Sequence, residues 1–184
     1  DIWIGSLDDA ASAEGPGAMK LGALVGNFYI KDAYEKLSWI AYLQNNIKQA
    51  EFYRNEVIAK GSQITDADKL AQQNAKSGVW PNALLLKARI LSDGGYQKQA
   101  LLILADKTTL DFNTPADKVE FPYRLGRIYD IMGDPEQAIK FYKSTIQKGA
   151  QLPAYFASRA ALQIGLIYEA NKNFKEAIDY YNIC

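Results

Sequence analysis

The sequence predicts an all-α fold, a solenoid in which antiparallel helix pairs stack one on the next. Three observations predict it. Nothing in the chain alternates convincingly with period two, so no sheet is expected. A small residue is followed twelve positions later by Ala four times, at Ser38/Ala50, Ala88/Ala100, Gly126/Ala138 and Gly165/Ala177. Inside the third of these copies stands Gly133-Asp134-Pro135, in which Gly ends one helix and Asp-Pro starts another. Self-similarity of this kind marks a repeat architecture, and the four alanines are separated by 50, 38 and 39 residues.

Taken in order, residues 1–16 are rich in Gly, Ala and Asp and read as an irregular lead-in. Residues 17–184 then read as a single solenoid with repeats at about 31–60, 80–105, 117–150 and 154–184. The long spacing between the first two alanines holds "DADKLAQQNAK", which predicts an extra helix at about 66–77. Within a repeat, Phe121, Leu125, Ile128, Tyr129 and Met132 recur at spacings of three and four, the stripe of a first helix. Ala138, Ile139, Tyr142 and Ile146 give the second helix its apolar face, and Ala177, Ile178 and Tyr181 fill the matching places in the last copy. Small residues at Gly126, Gly165, Ala138 and Ala177 allow the paired helices a close approach.

Composition narrows the function. Apolar residues make up 48% and charged residues 23% of the chain, the balance of a foldable protein. Basic and acidic residues number 21 each, so there is no general pull towards nucleic acid or an anionic membrane. Histidine is absent and Cys184 is the only cysteine. Ser-His-Asp, Cys-His and His-Glu zinc arrangements are thereby excluded, and so are an internal disulfide and a Cys-x-x-Cys site. No run of 18 apolar residues exists to span a membrane. Residues 15–26 carry Gly15, Gly17, Gly22 and Gly26 but lack the Gly-Lys-Ser/Thr ending of a phosphate loop. Asp66 and Asp68 open like a calcium loop, yet Leu70 stands where a third ligand is needed. The 12 tyrosines fall mostly on helical stripes, where core packing is the default. Nothing demands catalysis, a cofactor or a metal.

The copies resemble tetratricopeptide repeats. That family's pattern runs from a small residue to an aromatic three on, a Gly-Asp-Tyr-type turn, an Ala and a further aromatic. Gly126, Tyr129, Gly133, Asp134, Ala138 and Tyr142 fit it, as do Gly165, Tyr168, Asn173, Phe174, Ala177 and Tyr181. The copy at Ala88 keeps Gly95, Ala100 and Leu104 with Tyr96 one place early, and the copy at Ser38 has Arg54 where an aromatic is expected. Spacings of 38 and 39 exceed the family's usual period of about 34, a lengthening similar to that in bacterial envelope assembly proteins. The resemblance implies a right-handed superhelix acting as a non-enzymatic scaffold, with a partner protein or peptide held in the concave groove of the stacked first helices.

In such a stack the residue after the small one faces the groove, which places Arg89 and Arg127 at equivalent positions one repeat apart. Two arginines in register suit bidentate capture of a peptide carboxylate. Each is equally placed to pair locally, as Arg127 is with Asp130 three residues on. By the resemblance Asn82, Tyr123 and Arg124 lie near the same surface, with Trp39 and Tyr42 in the first copy and Arg159, Leu166 and Glu169 in the last. The family's carboxylate-clamp subtype needs a set of Lys and Asn residues that is not reproduced here. Two alternatives remain open: a self-association module using exposed end helices to form a homo-oligomer, and a regulatory or substrate-binding domain of a larger protein. The compartment is open between cytoplasm and periplasm or cell envelope. The start lacks Met and a basic leader, so a processed or truncated terminus is expected. By register with the preceding copy the last helix is expected to run to about residue 187, with Cys184 on a helix face awaiting a neighbour.

Overall fold

The computed structural model describes residues 28–150, 152 and 155–184. Among them are nine α-helices and no strand. The expected lead-in and the glycines at 15–26 lie outside the described residues. The chain divides into two compact units, Asp1–Trp80 and Pro81–Cys184.

The first unit holds α1 (Ile30–Leu43), α2 (Ile47–Ala59) and α3 (Asp66–Ser77). The second holds α4 (Ala83–Asp93), α5 (Gln97–Leu104), a single 3₁₀ turn at Thr109–Asp111, α6 (Pro115–Ile131), α7 (Pro135–Gly149), α8 (Phe156–Ala170) and α9 (Phe174–Tyr181). α9 therefore ends at Tyr181, and Cys184 lies past it and exposed.

Four helix pairs, α1/α2, α4/α5, α6/α7 and α8/α9, are joined by one and the same turn. Five residues before the repeat alanine the backbone is left-handed: Asn45, Gly95, Gly133 and Lys172 have φ of 58°, 86°, 78° and 63°. The next N–H then reaches back to the first helix, from Asn46 to Ala41, Tyr96 to Leu91, Asp134 to Tyr129 and Asn173 to Tyr168, at 2.8–2.9 Å. This 6→1 bond satisfies a carbonyl that the helix end would otherwise leave open. The four alanines that follow are all buried, at 0–2% exposure. A larger side chain there would hold the two helices apart.

The first unit packs α3 on both members of the α1/α2 pair around Trp39, Ala41, Ala50, Val57, Ala71 and Ala75. Its core is partly polar. Tyr29 precedes α1 and supplies no side-chain cap. Instead the Asp68 carboxylate, from the first turn of α3, accepts from the backbone N–H groups of Tyr29 (2.8 Å), Lys31 (3.1 Å) and Asp32 (3.2 Å), and from the Thr65 hydroxyl (2.6 Å). Asp68 is fully buried. Burial pushes its pKa up, but the bonds from Thr65, Tyr29, Asp32 and Lys31 outweigh that and hold it below the usual carboxylate range. Lys31, buried as well, donates from Nζ to the Val57 carbonyl at 2.7 Å, near the last turn of α2. Acid at one helix start and base at another's end match the helix dipoles.

The second unit is apolar by comparison. Leu85, Ala88, Leu104, Phe112, Phe121 and Ile128 fill one cluster between α4, α5 and α6. Val119, Tyr123, Tyr142, Phe156, Ala160 and Ile164 fill another between α6, α7 and α8. Helix α6 serves both, and it carries Pro122 in its interior, buried, at the position where an N–H would continue the ladder. Its start is secured by Thr114, whose Oγ1 accepts from the Asp117 N–H at 3.0 Å, and by Pro115 in the first turn.

Candidate functional site

Three of the eight residues picked from the sequence come together. Arg89 on α4 and Arg124 and Arg127 on α6 line one cleft of about 20 Å³ beside Ser92 and Asp93. That volume takes about one water-sized group, far below the few hundred Å³ of a small-molecule pocket. The lining carries three guanidinium groups against the single carboxylate of Asp93. It is a notch with room for one small polar group.

Each arginine is oriented by neighbours. Arg89 Nε lies 3.6 Å from Asp93 Oδ2. Arg124 donates from Nε (2.8 Å) and Nη2 (2.5 Å) to Glu120 Oε1, one helical turn back. Its guanidinium also lies 5.7 Å from the ring centroids of Tyr123 and Phe156. Arg127 Nη1 donates to Gln163 Oε1 on α8 at 2.9 Å and lies 3.8 Å from Asp130 Oδ2. The Arg89–Asp93 and Arg127–Asp130 pairs, at 3.6 and 3.8 Å, are ion pairs that lie beyond hydrogen-bond distance.

Asp130 is itself fixed. The Tyr142 hydroxyl donates to its Oδ2 at 3.2 Å. The Tyr142 ring is wholly buried and lies on Gly126, where an added Cβ would come within 2.6 Å of two ring carbons. Burial first, and then the nearby Asp130 charge, raises the phenol pKa far above its ordinary value. The next repeat reproduces the device: Tyr181 lies on Gly165 and its hydroxyl donates to Glu169 Oε2 at 2.5 Å. That bond, followed by burial, pushes the Tyr181 phenol up to about 12.

The other five residues stand elsewhere. Tyr123 is 5% and Trp39 6% exposed, and both serve the core instead of presenting a surface. Tyr123 is covered by Phe156 at a centroid distance of 5.2 Å, because α8 packs over that face of α6. Asn82 is the N-cap of α4, its Oδ1 accepting from the N–H groups of Leu84 (3.0 Å) and Leu85 (3.3 Å). Tyr42 stacks on Trp80 at 4.8 Å and 7°, and the Arg54 guanidinium lies 4.5 Å from the same indole. Arg159 is exposed, with its guanidinium 5.2 Å from the Tyr155 ring centroid.

Sequence reasoning missed Glu120, Asp93 and Gln163. The first two were within reach, since Glu120/Arg124 and Arg89/Asp93 are spaced by four on a helix. Gln163 lies 36 residues from Arg127, and only the packing of α8 on α6 brings it near. Among the described residues, no helix is long and apolar enough to cross a membrane.

No curated protein and no solved structure matches the chain. The tetratricopeptide repeat model matches residues 121–146 and 158–184. Those segments cover α6 from Phe121 with most of α7, and most of α8 with α9, the two pairs in which a tyrosine lies on a glycine. With the same turn, the same buried alanine and this match, the helix pairs α6/α7 and α8/α9 are tetratricopeptide repeats.

Proposed function

We propose that the protein is a non-enzymatic scaffold that holds an acidic segment of a partner protein on the first-helix face of its second unit. Tetratricopeptide repeats generally mediate protein–protein interactions. The observation that carries the reading is the convergence of Arg89, Arg124 and Arg127 on one cleft whose lining includes a single carboxylate. Stacked helix pairs hold the three side chains in place before any partner arrives, so little ordering is needed on binding. A carboxylate entering the cleft meets planar donor forks suited to it.

The test is a selection of random twelve-residue peptides from a display library on the purified protein, followed by titration of the selected peptides by fluorescence anisotropy. Acidic peptides are expected to be retained, and the Arg89→Ala/Arg127→Ala double variant is expected to weaken them at least about tenfold, the loss of one or two charged hydrogen bonds. Circular dichroism of that variant is expected to match the parent. Equal binding by parent and variant sinks the assignment.

A further inference from the structure

The repeat register carries the description of the partner one step further. Arg89, Arg127 and Leu166 each follow the small residue of their copy, Ala88, Gly126 and Gly165. The position is cationic in the second and third copies and apolar in the fourth. Leu166 is 45% exposed, although it lies one helical turn beyond Gln163, the residue that bonds Arg127 across from α6 to α8. An apolar side chain is therefore presented to solvent beside the arginine cleft, on the neighbouring helix of the same unit. Leu162, also exposed at 41%, is a different case. Its equivalent one repeat earlier is Tyr123, which is buried against α8, so register assigns Leu162 to the stacking face.

We infer that the partner segment is bipartite: one acidic residue for the cleft of Arg89 and Arg127, followed at a set distance by a large apolar residue for Leu166. This rests on the reading of the cleft given above. The distance follows from geometry. α4 packs on α6 and α6 on α8, and packed helix axes lie roughly 8–10 Å apart. An extended chain advances about 3.3 Å per residue. Equivalent positions on successive first helices are thus about three residues apart along an extended partner. Because Arg89 and Arg127 share one cleft with room for a single group, the segment reads acid-x-x-apolar, in one chain direction or the other. A partner with the acid alone leaves Leu166 wet, and one with the apolar residue alone leaves the cleft without an anion.

The peptides selected above are compared for spacing and then titrated against Leu166→Ala, with circular dichroism as the folding control. The expected outcome is enrichment of an apolar residue about three positions from an acid. Leu166→Ala is expected to weaken those peptides about tenfold, the order expected for burying a leucine's exposed part, and to have no effect once the peptide's apolar residue is replaced by Ser. Peptides that depend on Arg89 and Arg127 but show no spaced apolar residue, or ignore Leu166→Ala, overturn this inference and leave the cleft reading standing. Peptides that ignore the arginines as well overturn both.

Discussion

The pairs α1/α2 and α6/α7 share a turn and a buried alanine but are locked in opposite ways. Two positions decide it: the residue four after the small one on the first helix, and the residue four after the alanine on the second. In α6/α7 these are Asp130 and Tyr142, and the phenol donates directly to the acid across a glycine ledge. In α1/α2 they are Tyr42 and Arg54, so the aromatic has moved to the first helix and a cation stands on the second. Those two meet through a third party, both lying against Trp80. Ser38 takes the place of Gly126, and its hydroxyl donates to the Glu35 carbonyl at 2.7 Å. The difference teaches that the turn and the alanine define the pair, while the lock is free to vary. The α6/α7 lock lies within the pair; the α1/α2 pair is completed by α3 and by the segment that follows it.

The largest expected effect breaks the first unit at that dependence. Asp68→Ala removes the cap of α1 and leaves three backbone N–H groups without their partner, and we expect a loss of about 3 kcal/mol in urea unfolding. The pH dependence has a definite sign. Asp68 has a folded pKa below its unfolded value, so its contribution is present above the unfolded pKa of about 4 and is lost as pH falls through the folded value. Parent and variant should converge in strong acid. Stability curves that stay parallel down to the acid transition would contradict the assignment.

Next comes the ledge. Gly126→Ala places a methyl against the immovable Tyr142 ring and is expected to cost about 1.5 kcal/mol, the overpacking penalty less the gain in helix propensity. Ser38→Ala, at the equivalent place in α1, should cost roughly half a kcal/mol because only a local hydroxyl bond is lost. Thermal unfolding of the two variants measures the contrast directly. Equal costs would mean that both pairs use the same lock.

Tyr142→Phe keeps the ring on its glycine and deletes one hydrogen bond, for about 1 kcal/mol. The same change at the more exposed Tyr181 should cost less, and denaturant midpoints rank the two. The smallest effect concerns the shared turn. Lys172 adopts φ 63° where two of the other copies have Gly. Lys172→Gly is expected to stabilise α8/α9 by roughly half a kcal/mol, and Gly133→Ala to destabilise α6/α7 by about 1 kcal/mol. Hydrogen exchange of the turn amides reads both signs.

Much of the fold was legible because the repeat signal rests on local chemistry. Gly133-Asp134-Pro135 states a stop, a cap and a start in consecutive residues, and the structure places them between α6 and α7 in those roles. The stripe of Phe121, Leu125 and Ile128 likewise reports which face of α6 is buried. The polar core of the first unit was not legible. Asp66 and Asp68 stand in the first turn of α3, and nothing in their spacing says that Asp68 also caps α1, some 36–39 residues away in sequence. The site divides along the same line. Arg89 and Arg127 followed from register, and the structure sets both on one cleft with Arg124. Tyr123 and Trp39 share the groove side of the helical wheel by sequence, but packing by later helices decides whether such a face is open or covered, and a single stripe does not carry that information.

The glycine ledges have a consequence for how such a chain can grow. Gly126 and Tyr142 are sixteen residues apart, as are Gly165 and Tyr181. Independent change of either member carries a cost: a side chain on the glycine meets the ring, and a smaller residue for the tyrosine leaves a hollow. A duplicated stretch of gene that contains both arrives with its lock already matched, whereas a breakpoint falling between them joins a ledge to a foreign ring. Such joints would survive only with compensating substitutions on the other side. The α1/α2 pair carries no such ledge: Ser38, Tyr42 and Arg54 stand at the corresponding places, and Trp80 lies against the last two.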